Sequence, residues 1–238
     1  MISTSWGRRN RLLATLDAPA LALLKPHATE LEFRSGTLLQ EAGETTAHVY
    51  FPFEGMISLL AVMADGRAIE TATVGREGCV GAMSGFGARP SFTRAVVQLP
   101  LTAARIPSAR FRAATAASEQ IRNLVVGYNE VLLGQVQQTA ACNALHPAAA
   151  RFARWLLQAR DRTDSDELPL TQEFLAQMLG VRRTTVTQIA RQLEKAGIVR
   201  SLRGRVFIVN RKKLEETACE CNNALRKQLT AELPKIAL

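Results

Sequence analysis

Aromatic side chains make up only 5% of the 238 residues, and acidic residues number 21 against 30 Lys and Arg. No apolar run approaches the ~20 residues of a membrane-spanning helix, so no bilayer span is expected. Cysteine is scarce as well: Cys79, Cys142, Cys219 and Cys221 form no C-x-x-C pair. Cys219 and Cys221 stand two apart on an expected helix, where side chains diverge. Cys79 and Cys142 read as small core residues. The three histidines, at 27, 48 and 146, have no ligand spacing. The sequence therefore gives no reason to expect a metal, a cofactor or a disulfide framework. Nor does it contain a recognisable nucleophile–base pair or phosphate-binding loop, so an enzyme is not expected.

What is present is a normal globular composition, with 47% hydrophobic and 21% charged residues, enough to build a core. The net charge of +9 is unevenly placed. From residue 147 onward 17 Lys and Arg face 10 Asp and Glu, a net +7; the preceding residues carry +2. A basic C-terminal third suits a polyanionic partner. Arg8-Arg9-Asn10-Arg11-Leu12-Leu13 has the opening of a twin-arginine export signal, but Asp17, Pro19 and Lys25 interrupt the apolar stretch that should follow. It reads instead as the first helix of a cytoplasmic protein, over residues 9–31.

From 32 to 107 the texture is that of strands. Short apolar or alternating runs at 32–39, 49–53, 56–62, 68–74, 94–99 and 104–107 are separated by breaks at Gly36, Gly43, Gly55 and Gly66. That spacing suggests an antiparallel sandwich or barrel. Between 108 and about 143 the pattern is helical, with Ile121, Leu124, Tyr128, Val131, Leu132 and Gln135 at three- and four-residue steps. Such a stripe suits either packing on a second copy of the chain or cover for its own β domain, and the two can coexist. Pro147 opens a further helix over 148–160, with Phe152, Trp155 and Leu156 on its core face. Residues 161–167 read as a polar loop.

The most informative stretch is 170–193, LTQEFLAQMLGVRRTTVTQIARQL. Thr171 is a good N-cap. Leu175, Ala176 and Leu179 share one face, Gly180 suits a tight turn, and Val186, Ile189 and Leu193 face inward from a second helix. These spacings describe a helix-turn-helix. The second helix opens on two adjacent arginines and three threonines, a poor choice for stability, since cations sit badly at the positive end of a helix dipole. Arg183, Thr184, Thr187, Gln188 and Arg191 fall on its outer face. Arg pairs with guanine, Gln with adenine, and Thr offers a hydroxyl and a methyl. Arg183, Thr184, Thr187 and Gln188 are thus candidates for reading bases in a major groove. Thr171, Arg182, Thr185 and Arg191 are candidates for holding the DNA backbone. Strands near 198–201 and 205–209, joined at Arg203-Gly204, make a wing whose Arg203 and Arg205 suit phosphates. Asn210 caps a final helix.

With this motif and order of elements, the chain resembles the Crp/Fnr family of bacterial transcription regulators along nearly its whole length. The resemblance implies an α+β chain in three parts. Residues 1–107 form a helix and an antiparallel, cyclic-nucleotide-binding-like β-roll; 108–146 form a long dimerisation helix; 147–238 form a winged helix-turn-helix. It also implies a homodimer reading a palindrome in double-stranded DNA, with RNA polymerase and a small-molecule effector as possible further partners. Two departures qualify it. Where many members carry Arg-Glu-Thr-Val-x-Arg, this chain has Thr184 for the Glu and Gln188 for the second Arg, so the usual family operator does not carry over. Cyclic-nucleotide-binding members have a Gly-Glu pair followed by Arg-Ser/Thr-Ala. Here Ala82 follows Gly81, Gly75 and Gly78 keep the turns, and Arg94 stands outside an intact triplet. Gly78, Gly81, Ala82 and Arg94 are the candidate effector pocket, and the effector is expected to be something other than cAMP, or absent. The competing reading is a ligand-sensing module whose basic C-terminal part docks on a protein or membrane.

Overall fold

The computed structural model describes residues 6–224 and 227. The N-terminal segment is not one helix. It runs as α1 (Trp6–Arg9), a 3-10 turn at Leu13–Thr15, α2 (Ala18–Leu24) and a second 3-10 turn at Lys25–His27. Two features break it. The buried Asn10 side chain donates to the carbonyls of Pro52 and Gly78, both at 2.9 Å, and Pro19 and Pro26 restart the chain at helix openings. Asp17 caps α2 by accepting from the Ala20 amide at 2.8 Å. The leucines of this stretch still reach the core, with Leu12, Leu13, Leu16 and Leu24 all buried.

Five antiparallel strands follow: β1 (Thr29–Phe33), β2 (Leu38–Gln40), β3 (His48–Val62), β4 (Ala68–Val74) and β5 (Arg94–Pro107), in the order β1-β5-β3-β4, with β2 also on β5. β3 and β5 each merge two of the runs expected from the sequence, pairing from His48–Pro107 to Leu60–Arg94. Gly55 is therefore a bulge within a strand, not a turn between two. Its φ is +87°, the register shifts on either side of it, and a Cβ there would lie 2.0 Å from the Pro100 carbonyl oxygen.

The helical stretch beyond β5 is two helices, α3 (Ser108–Ala117) and α4 (Glu119–Leu145). Ser118, at φ −131° and ψ 119°, leaves the helical region between them and caps α4 by accepting from the Ile121 amide. The 27 residues of α4 extend about 40 Å. The C-terminal unit comprises α5 (Ala148–Thr163), β6 (Glu167–Leu168), α6 (Gln172–Leu179), α7 (Arg183–Lys195), β7 (Val199–Leu202), β8 (Arg205–Ile208) and α8 (Arg211–Thr217). α5 runs three residues beyond its expected end, and the last residue of the expected polar loop, Glu167, opens β6, which pairs with β8 as a third strand of the wing.

The C-terminal core is continuous with the roll. Phe152, Trp155 and Leu156 pack in one cluster with Leu175, Val186 and Ile189, and also with Met56, Leu60 and Leu99 from β3 and β5. Two polar ties span the same junction. Trp155 Nε1 donates to Glu70 Oε1 at 2.9 Å. Arg162 Nε and Nη2 reach Glu77 Oε1 at 2.7 and 2.6 Å. The roll is therefore joined to the C-terminal unit by packed side chains and not only through the long helix.

Candidate nucleic-acid interface and effector cavity

The helix pair α6–α7 assembles from local interactions. Thr171 Oγ1 accepts from the Phe174 amide at 3.2 Å and starts α6. Gly180, at φ +63°, ends it, a conformation that glycine adopts without strain. A Cβ at Gly180 would lie 2.8 Å from Ile69 Cδ1 on β4, so the turn is also pressed against the roll. Leu175, Ala176, Met178 and Leu179 of α6 and Val186, Ile189, Ala190 and Leu193 of α7 are buried. With that face inward, the opposite face of α7 is left to solvent.

Arg182, Arg183, Thr184, Gln188 and Arg191 are exposed, and Thr185 and Thr187 half-buried. Arg182 is the N-cap residue of α7 but its side chain makes no capping bond. Among the described residues Arg183 has only a loose partner, Glu173 at 4.0 Å, with both side chains mostly exposed. Thr187 is more constrained: its Oγ1 lies 2.7 Å from Gln172 Oε1 and 3.1 Å from the Arg183 carbonyl. Gln172, which the sequence did not single out, thus orients a hydroxyl on this face. At the wing, Arg203 is exposed, Arg205 pairs with Glu167 at 2.5 Å, and Arg200 lies 4.9 Å over the Phe207 ring. Arg200 was not anticipated, because its place beside the tip depends on the β7–β8 register. Asn210 caps α8 as expected, accepting from the Lys213 amide at 3.0 Å.

The stripe on α4 faces mainly inward. Ile121, Tyr128 and Val131 are buried against the roll and Leu124 packs beside them. Leu132 joins the sheet cluster, and Gln135 Nε2 lies 3.2 Å from both oxygens of Thr73. Expected as a dimer seam or as cover for the roll, the stripe does the second, because the sheet supplies its apolar partner. The outward face carries a different series: Val126, Glu130, Leu133, Gln137, Ala140 and Ala144, all exposed, at alternating four- and three-residue steps. Val126 and Leu133 are about half exposed, at 49% and 54%.

A cavity of about 440 Å³ lies between the roll and α4. The surface of its wall is mostly apolar, with Leu59, Val80, Val125 and Val136 on it, and polar side chains such as Gln40, Thr71, Arg89 and Asn129 are set among them. Gly81 and Ala82 line it, whereas Gly78 and Arg94 do not. Gly78 is pressed on Tyr128, whose hydroxyl would stand 2.1 Å from a Cβ there. Arg94 is turned to Glu41, with Nε at 2.9 and 3.0 Å from the two carboxylate oxygens. Burial pushes the Tyr128 phenol well above its ordinary range and pushes the Cys79 thiol up, so both groups beside the cavity are neutral.

The cysteines differ most from expectation. α8 ends at Thr217, so Cys219 and Cys221 do not sit on one helix with diverging side chains. Their thiols converge on Cys142 and His146 near the end of α4.

Residues 150–217 match the family model of the Crp-like helix-turn-helix domain, and residues 30–118 match that of the cyclic nucleotide-binding domain. Comparison with curated protein sequences gives no match. Among solved structures, the chain is similar to a putative Crp/Fnr-family transcriptional regulator from Eubacterium rectale. The two are 18% identical, with 88% of this chain and 98% of that one covered, and a TM-score of 0.69. FixK2 from Bradyrhizobium japonicum is 19% identical over 81% of this chain and 98% of its own, with a TM-score of 0.67. The c-di-GMP-responsive regulator CLP of Xanthomonas campestris is 16% identical over 82% and 100%, with a TM-score of 0.66. The two domain matches, in this order on either side of the long helix, account for the roll, the helix pair and the wing together. The chain belongs to the Crp/Fnr family of transcription regulators, which are not enzymes.

Proposed function

We propose that the protein is a homodimeric, sequence-specific DNA-binding regulator whose α7 enters the major groove. The exposed face of α7 is the observation that carries this reading: Arg183, Thr184 and Gln188 project from a helix whose other side is fully packed. In this reading Arg183 reads guanine and Gln188 adenine, while Thr184 and Thr187 contact bases through hydroxyl or methyl. Thr171, Arg182, Thr185, Arg191, Arg203 and Arg205 hold the backbone. Two copies meet along the outward series on α4 from Val126 to Ala144, whose spacing suits a helical seam. Their α7 helices then address half-sites about one helical turn apart.

The cavity beside α4 is the effector site, and its ligand is not a cyclic nucleotide. Ala82 supplies no carboxylate for a ribose, and Arg94 is held by Glu41 outside the cavity wall. The mostly apolar lining suits a small apolar molecule with one or two polar groups.

Base-reading and backbone roles separate in a binding experiment. Arg183→Ala should weaken the best site by about 1–3 kcal/mol and relax preference at one position. Arg203→Ala should weaken all sequences alike and lower the salt slope by about one. Uniform loss for both substitutions would overturn the role given to Arg183.

A further inference from the structure

We infer that Cys142, His146, Cys219 and Cys221 form a tetrahedral zinc site at the junction of α4 with the C-terminal unit. Their donor atoms all lie within 4.8 Å of one another. Cys142 Sγ is 3.5 Å from Cys219 Sγ, and Cys221 Sγ is 3.5 Å from His146 Nδ1. With Zn–S bonds of ~2.3 Å and Zn–N of ~2.0 Å, tetrahedral donors stand roughly 3.5–3.8 Å apart. The four groups can therefore take one ion with little movement. A cluster of several irons does not suit this spacing, because its four ligands are divided among two or more irons, and ligands on different irons stand farther apart than donors that share one ion.

The surroundings agree with the donor set. Three thiolates and one imidazole are a common structural zinc combination. While Nδ1 of His146 faces Cys221, its Nε2 lies 3.1 Å from Glu220 Oε1. A carboxylate behind a metal-bound imidazole fixes its tautomer and raises its basicity. Gln138 Nε2 donates to Cys221 Sγ at 3.0 Å. Arg151 and Arg154 are buried, and neither Nε has a hydrogen-bond partner among the described residues. Arg154 acts electrostatically on both Cys142 and Cys219. Zn²⁺ with three thiolates carries a net −1, which gives that buried guanidinium a counter-charge; three neutral thiols do not.

All three cysteines are buried, Cys142 and Cys221 completely, so the site is closed and structural. On binding, three S–H bonds ionise, three S–Zn bonds form and three protons go to solvent. The ion joins the last turn of α4, the residue before Pro147 and the segment after α8. It thereby fixes where the C-terminal unit sits on the long helix.

The test is metal analysis of the full-length protein purified under reducing conditions, followed by replacement of the metal with Co²⁺. The expected result is about one zinc per chain. Stripped wild-type protein should then develop the visible absorption of tetrahedral, thiolate-bound cobalt and lose it when zinc is added. Cys219→Ser should abolish that spectrum. Glu220→Gln keeps all four donors and should retain the spectrum with about 10–100-fold weaker affinity. The wild-type cobalt spectrum decides the matter even where a cysteine variant fails to fold. Failure of reduced, stripped wild-type protein to give it would overturn the site. Iron with sulfide in place of zinc, or a Cys142–Cys219 disulfide in the protein isolated without oxidant, would overturn it as well.

Discussion

Replacing Glu70 by Gln should remove a loss of stability that wild type suffers as pH rises. Glu70 lies on β4, buried at the junction with α5, where Oε1 accepts from Trp155 Nε1 and Oε2 lies 2.5 Å from Ser58 Oγ. Burial pushes its carboxyl up from an ordinary 4.5 to about 7, against the opposing pull of the Ser58 and Trp155 hydrogen bonds and of Arg154 and Arg162. The folded state therefore holds the proton more tightly than the unfolded chain. Between pH 4.5 and about 7 the folded protein binds more protons, so stability falls as pH rises through that window. Below it the neutral carboxyl carries no penalty; above it the penalty is complete. A shift of this size corresponds to about 3 kcal/mol, or roughly 6–12 °C in Tm for a chain of this length. The protonated acid also fits its neighbours: it donates to Ser58 Oγ, which donates in turn to Gln98 Oε1 at 3.1 Å. A glutamine amide can occupy the same place, donating to Ser58 and accepting from Trp155. Thermal unfolding of wild type and Glu70→Gln at pH 5 and pH 8, at matched ionic strength, isolates the effect as the difference between the two proteins. The variant should gain on wild type at pH 8 by up to the full amount and show little advantage at pH 5. Parallel pH profiles would refute the account of Glu70 as a buried group that is reluctant to ionise.

The second tie across the junction gives a different expectation. Burial pushes the Glu77 carboxyl up, but Arg162, by charge and by hydrogen bonding, together with the backbone amides of Glu77 and Gly75 more than reverses this, and the carboxyl ends below its ordinary value. Arg162→Ala leaves a buried charge uncompensated and should destabilise by about 3–5 kcal/mol, read as a lower urea midpoint. A loss within 1 kcal/mol would mean that water or another cation serves Glu77. Gly55→Ala combines a left-handed backbone with a Cβ 2.0 Å from the Pro100 carbonyl oxygen. It should lower stability by at least about 1–3 kcal/mol, visible in a Tm scan, and an unchanged Tm would remove the bulge as a constraint on β3 and β5.

The parts of this structure that were legible in the sequence are those decided by near neighbours. Within residues 170–193 the cap, the turn glycine and the inward side chains all lie close along the chain, so spacing alone described the helix pair. The wing turn and the Asn210 cap were legible for the same reason. Strand boundaries were less so, because Gly55 permits a bulge as readily as a turn, and only pairing with β5 decides between them. Periodicity on α4 marked a buried stripe but could not name its partner. The sheet of the same chain takes that place, and Gln135 bonds to Thr73 across 62 residues of sequence. The thiol cluster was hidden most completely. Cys142 and Cys219 are 77 residues apart, and the side chains of Cys219 and Cys221 converge only because α8 stops at Thr217. No local spacing records where a helix end will meet another helix.

The most direct test of the DNA-reading account is selection from a random duplex library by the purified full-length protein, without added ligand and at near-physiological salt. The account predicts enrichment of a palindrome with half-sites about one helical turn apart. Base preference within each half-site should change on Arg183→Ala and on Gln188→Ala, each at its own position. Binding of all sequences alike by folded, dimeric protein, or an enriched site indifferent to both substitutions, would contradict it.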